Sequence, residues 1–158
     1  MDENQIVEAV VSYLKGLGYV VTQSLTTKEK GIDIIADHPV KGRILVEAKG
    51  GTSTFEGSAR YGKSYTKPQV FDRVAKGFFT VAEMKEENRN TVVAFAMPKT
   101  PWFEEYLGRI RNSLSMLDIK VFLVSEGPRV EEMTPNDFIH RTRKEAGLGS
   151  PGRPRSRR

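Results

Sequence analysis

Three short apolar segments crowd the first third of the chain, and beyond them helical and extended patterns alternate; no other feature constrains the fold as tightly. Tyr19–Leu25, Ile32–Ala36 and Arg43–Lys49 are each rich in β-branched residues and of strand length. A turn through His38-Pro39-Val40-Lys41-Gly42 joins the second to the third, so those two should pair as a hairpin. Ahead of them, Ile6, Val7, Val10, Val11, Leu14 and Leu17 recur at helical spacing from Asn4 to Leu17, with Gly16 and Gly18 as a stop. Behind them, Val70, Val74, Phe78 and Val81 mark a helix reaching about Glu87, with Thr66 as its cap and Pro68 in its first turn. Thr91–Met97 reads as a buried strand. Thr100-Pro101 opens a helix running to about Leu117, and Ile119–Val124 is the last clear strand. A short helix over Pro135–Lys144, capped by Thr134, completes the pattern. The order αβββαβαβ predicts an α/β chain, a three-layer α/β/α sandwich with a mixed central sheet.

Charged residues sit inside two of those strands. Asp33 falls among Ile32, Ile34 and Ile35, and Glu47 and Lys49 follow Ile44, Leu45 and Val46. Side chains two apart on a strand share a face, so Glu47 and Lys49 point the same way. Simple hairpin register sets Asp33 opposite the later half of the third strand, which gathers two carboxylates and an ammonium at one end of the sheet. Charges in apolar strands are costly unless paired or bound to a metal. Two readings fit: a structural salt bridge, in which Lys49 neutralises both acids, or a phosphodiesterase centre. In the second, a divalent ion would hold the scissile phosphate and activate water, and the lysine would offset developing charge.

Composition narrows the metal chemistry. The chain has no cysteine and only two histidines, His38 and His140, without ligand spacing to each other. That excludes a disulfide framework, a thiolate nucleophile and cysteine-bound zinc, and leaves carboxylates, which suit Mg2+ or Mn2+.

Gly31–Ala36 followed by Ile44–Lys49 resembles the acid-x(n)-E-x-K signature of the PD-(D/E)xK nucleases, the superfamily of type II restriction enzymes and archaeal Holliday junction resolvases. Ile32 stands where the proline of the motif's name stands, and that proline does no chemistry. The order of elements resembles the family from about Asn4 to Val124, the motif itself only from Gly31 to Lys49. The resemblance implies a restriction endonuclease-like fold and Mg-dependent hydrolysis of DNA, by an endonuclease acting in repair, recombination or restriction. It implies that Asp33, Glu47 and the backbone carbonyl of Ala48 bind the metal, and that Lys49 assists the attacking water. It also implies a further glutamate on the first helix, for which Glu3 and Glu8 both stand in position. Gln69 with Arg73 resembles the Q-x-x-x-(Y/R) element on the helix after the lysine strand, although Thr66-x-x-Gln69 equally fits a capping box; the two roles are compatible.

The Gly50–Thr66 segment is too long for an ordinary connector. It carries Arg60, Lys63 and Tyr65, with Lys67 just beyond and Arg73 and Lys76 on the following helix, a mixture suited to phosphate contact and stacking. A surface loop with no ligand has the same composition. Net charge is +5, and seven basic residues fall in the last eighteen positions, leaving the body close to neutral. Residues 1–146 are expected to form the domain and 147–158 a basic tail, disordered when unbound. Arg153, Arg155, Arg157 and Arg158 make that tail either a solubilising end or a sequence-independent phosphate clamp. Gly152–Arg155 resembles part of an AT-hook core, with Pro151 in place of its preceding arginine.

No stretch approaches the roughly 18 apolar residues of a membrane span, and the N-terminus lacks the marks of a secretory signal. An intracellular, cytoplasmic protein with no membrane partner is expected. Nucleic acid, DNA ahead of RNA, is the expected partner. A homodimer would suit a cut through two strands, though no interface is legible. The rival readings are a nuclease-like fold that binds DNA without cutting, and a structural α/β domain whose tail contacts RNA.

Overall fold

The computed structural model describes residues 1–27, 29–53, 59 and 61–133. Arg60, His140, the helix expected over Pro135–Lys144 and the basic tail with Arg153, Arg155, Arg157 and Arg158 lie outside the described residues.

Helix α1 spans Glu3–Gly16, started by a reciprocal capping box in which the Gln5 amide donates to Asp2 Oδ1 at 2.9 Å and the Asp2 amide to Gln5 Oε1 at 2.9 Å. Strands β1 (Val20–Ser24), β2 (Ile34–His38) and β3 (Gly42–Ala48) follow, then α2 (Lys67–Glu87), β4 (Val92–Pro98), α3 (Pro101–Arg109), α4 (Arg111–Met116), β5 (Ile119–Ser125) and β6 (Arg129–Met133). The six strands form one mixed sheet in sequence order. β3, β4 and β5 run parallel, and β1–β2, β2–β3 and β5–β6 pair antiparallel.

Strand alternation divides the core. Ile34, Ala36, Ile44, Val46, Ala48, Ala94, Ala96, Phe122 and Val124 pack with Ile6, Val10 and Leu14 of α1 on one face. Leu45, Val93, Phe95, Met97, Val121 and Leu123 pack with α2, α3 and α4 on the other. Parallel strands covered on both sides read as near-continuous apolar runs, which is why Val92–Met97 and Ile119–Val124 stand out in the sequence.

Two glycines let helices close onto the end of β3. A Cβ on Gly77 of α2 would lie 2.3 Å from Phe95 Cζ and 3.2 Å from Lys49 Cγ. One on Gly50 would lie 2.4 Å from the Glu3 amide nitrogen at the start of α1. Both close approaches bracket the stretch that carries Glu47 and Lys49.

The structure departs from the expected order in three places. The helix expected from Thr100 to Leu117 is two, because Ile110 (φ −108°, ψ 10°) leaves helical geometry and its amide makes a tight bond to the Leu107 carbonyl. A sixth strand, β6, occupies Arg-Val-Glu-Glu-Met, a segment with only one buried side chain, Met133. It is an edge strand anchored by ion pairs from Lys99 to Glu131 and from Lys120 to Glu132. Finally, Asp33 lies just before β2 and not within it. At that level the Ala48 amide bonds the Asp33 side chain, while the Ile32 carbonyl accepts from Gln23 Nε2 at 2.7 Å. The Asp33 side chain thus takes the place of the next rung of the β2–β3 ladder, and the Gln23 side chain holds the same stretch from β1.

Candidate active site

Glu47 is the one buried polar or charged side chain among the described residues, 6% exposed. It points to the α2 face with Leu45, and Lys49, two positions on, extends along the same face beneath Gly77 and pairs directly with Glu47 Oε1. Asp33 approaches from the neighbouring strand. Its Oδ2 accepts from the Ala48 amide at 2.7 Å. In an extended strand the N–H and C=O of one residue leave on the same side, so the Ala48 carbonyl also emerges toward Asp33.

Burial pushes the Asp33 carboxyl up to about 6; the Glu47 and Glu3 carboxylates add to the rise, and the Ala48 amide and the Lys49 ammonium oppose it. Lys49 pairs directly with Glu47, while the direct partner of Asp33 among the described residues is the Ala48 amide. A purely structural bridge would be expected to pair both acids. The arrangement leaves a half-buried carboxyl with excess negative charge around it, the electrostatic setting in which a cation gains most.

The structure separates the two candidates on α1. Glu3, at the first helical position, reaches the site: its Oε2 lies 3.5 Å from the Gly50 amide and 3.7 Å from Arg73 of α2. Glu8 is exposed and lines a different groove with Gln5, Ser12 and Pro128. Gln69 uses its carbonyl oxygen to cap α2, accepting from the Thr66 amide at 2.9 Å and the Thr66 hydroxyl at 3.0 Å. Capping is thus its visible role.

The ends of the long loop are zipped together. Thr52 bridges Ser64, and the Tyr65 amide donates to the Gly51 carbonyl at 2.9 Å, which returns Tyr65 to within a few residues of Lys49. Arg73 stacks its guanidinium 4.9 Å from the Tyr65 ring centroid and donates to the Tyr65 hydroxyl at 2.6 Å. Glu3, Arg73 and Tyr65 form a chain of contacts from α1 through α2 to the loop, a link the sequence alone does not reveal. Lys63 and Lys76 are exposed, and Lys67 pairs with Glu105 at 2.6 Å.

Among the described residues, no three Asp, Glu or His side chains are gathered closely enough to hold an ion unaided. The donors at hand are the Asp33 and Glu47 carboxylates and the Ala48 carbonyl, all hard oxygens. Such a set fits Mg2+ or Mn2+, which keep several waters and take substrate phosphate as a ligand, and fits soft metals poorly.

Several polar and aromatic side chains away from this cluster have local roles. Asp37 forms a bidentate pair with Arg43 at 2.8 and 2.9 Å. His38 Nδ1 accepts the Val40 and Lys41 amides at 3.0 and 3.1 Å, closing the β2–β3 turn. Phe103 and Tyr106 are core, whereas Trp102 is 43% exposed. Among the described residues no helix is long and apolar enough to cross a membrane. Comparisons of the chain with protein-family models, with curated proteins and with solved structures return no match.

Proposed function

We propose that this protein is a metal-dependent nucleic-acid phosphodiesterase, a deoxyribonuclease of the PD-(D/E)xK type with a restriction endonuclease-like core. The observation that carries the reading is the meeting of Asp33, Glu47 and Lys49 at the end of β3, with Asp33 half-buried, raised to about 6 and without a direct cationic partner among the described residues. DNA is favoured over RNA through the resemblance of the motif to that family.

Asp33, Glu47 and the Ala48 carbonyl would hold Mg2+ or Mn2+. Bound there, the ion would polarise the scissile phosphate and lower the pKa of a coordinated water. The chain's own residues do the rest. With Glu47 holding the ion, Lys49 would be free to orient the attacking water oxygen toward phosphorus and to offset charge on the phosphoryl oxygens. Glu3 and Arg73 brace the start of α1 against α2 and so fix the wall beside Gly50. Water adds to phosphorus and gives up a proton to solvent, the bond to the leaving oxygen breaks, and that oxygen takes up a proton from solvent.

One observation favours a second reading. The closed Glu47–Lys49 pair is what a nuclease-like fold that binds DNA without cutting would also show. Cleavage of linear, nicked, branched and single-stranded DNA with Mg2+ or Mn2+ separates the two. Lys49→Ala is expected to lower cleavage at least 100-fold while sparing DNA binding, general acid–base and electrostatic contributions of one group being worth about 10²–10⁴. Retained cleavage would refute the mechanism. Absence of cleavage by a folded wild type that binds DNA would support the silent module.

A further inference from the structure

A second opening lies beside the candidate centre, at the ends of the parallel strands. It encloses about 560 Å³, within the range of roughly 300–1,000 Å³ typical of small-ligand pockets. Gly51, Tyr65, Pro98, Thr100, Trp102 and Phe103 are among its walls. Register sets its position: Ala48 pairs with Ala96 and Pro98 ends β4, so the opening begins where β3 leaves the sheet, two residues past Lys49. Gly51 in its wall is two residues from Lys49, so their Cα atoms are at most about 7 Å apart.

Its chemistry is that of a flat, partly polar guest. The walls are largely aromatic, prolyl and aliphatic, with Thr52, Ser64, Thr100, Lys99 and Glu126 as their polar members. Trp102 is the protein's single tryptophan and sits at the start of α3, 43% exposed beside the fully buried Phe103. Thr100, the N-cap of α3, makes no side-chain cap, so first-turn amides of α3 keep donor capacity near the same opening. A Cβ on Gly51 would come 3.0 Å from the Pro98 ring and 3.5 Å from Phe103, so glycine there lets the chain leaving β3 pack directly on two walls of the opening.

We infer that this opening is a base-accepting subsite, taking one unstacked nucleobase onto the Trp102 indole from a strand whose phosphate lies at Asp33, Glu47 and Lys49. The inference rests on the nuclease reading for the placement of that phosphate. It names the substrate class: nucleic acid offering an unpaired base close to the cut, such as single strands, flaps and frayed ends, ahead of intact duplex. Continuity with the candidate centre selects this occupant, since Gly51 of its wall follows Lys49 by only two residues. Aromatic faces accept any base, so the subsite selects for unpairing and not for sequence.

The lone tryptophan makes the test direct. Full-length protein in chelator is titrated with a short oligothymidylate, and Trp102 emission is followed with binding read in parallel by anisotropy of a labelled strand. Emission is expected to fall as the strand saturates, and an abasic residue at one position should restore it. Trp102→Ala should weaken single-strand binding on the order of 10- to 100-fold, with Trp102→Phe retaining most of it and the matching duplex less affected. Binding without any emission change, Trp102→Ala binding as tightly as wild type, or no single-strand binding at all would overturn the inference. The same titration with Lys49→Ala separates the two proposals. Cleavage by wild type without quenching removes the subsite and leaves the nuclease. Quenching without cleavage leaves the subsite and removes the nuclease.

Discussion

At the scale of single residues, the account turns on Asp33. Its folded-state pKa of about 6 lies above its ordinary 3.8, so the native state binds more protons than the unfolded state between those values. The stability Asp33 contributes is complete below about pH 3.8 and is lost as pH rises through 6. In metal-free buffer, urea titrations should show the wild type losing on the order of 2 kcal/mol across that window, after allowance for the partial solvent exposure of the group. Asp33→Asn keeps an acceptor for the Ala48 amide and removes the charge. It should flatten the slope and be more stable than wild type at neutral pH, the trade expected where function holds a charge in an unfavourable place. A variant less stable than wild type at pH 7 would show that Asp33 serves the fold. Asp33, Glu47 and Lys49 were legible because charges interrupt apolar strands at spacings that fix their facing. Glu3 could not be told from Glu8, since the choice depends on where α1 meets Gly50, a contact between segments 47 residues apart.

At the scale of elements, Gly77 sets how closely α2 lies on the sheet. Gly77→Ala would drive a methyl against Phe95 and toward the Lys49 stem. Overpacking of this kind costs about 1–3 kcal/mol, and the displaced helix should lower cleavage as well, read from denaturation midpoints and rates on one preparation. Wild-type stability and rate in Gly77→Ala would show that α2 can give way freely. Strongly patterned elements were readable: α1, α2, β3, β4 and β5 lie within about a residue of their expected limits. β6 was not, because an edge strand held by Glu131 and Glu132 lacks the apolar signal of a buried one. The break at Ile110 was hidden by helical periodicity that continues across it. Gln69 had two compatible readings, and the capping bond to Thr66 is the one visible in the structure.

For the molecule as a whole, charge is concentrated in the last eighteen positions, outside the described residues. If Arg153, Arg155, Arg157 and Arg158 clamp phosphates, removing residues 149–158 should weaken DNA binding and reduce the slope of log K against log salt by up to about 0.9 per lost contact on duplex. An unchanged slope would assign those arginines to solubility. On the proposed reading, substrate would run where α1, the end of β3, the returning chain at Tyr65 and α3 come together at one end of the sheet, past Asp33, Lys49 and Trp102. The central claim is that two carboxylates and a lysine at that end of the sheet hydrolyse phosphodiester bonds with a divalent ion. Its most direct test is cleavage of single-stranded and flapped DNA by wild type and Asp33→Asn, side by side in Mg2+ and in chelator, with folding verified for both. Magnesium-dependent cutting by wild type alone is the expected result; equal cutting by Asp33→Asn, or cutting that survives chelation, would contradict the account.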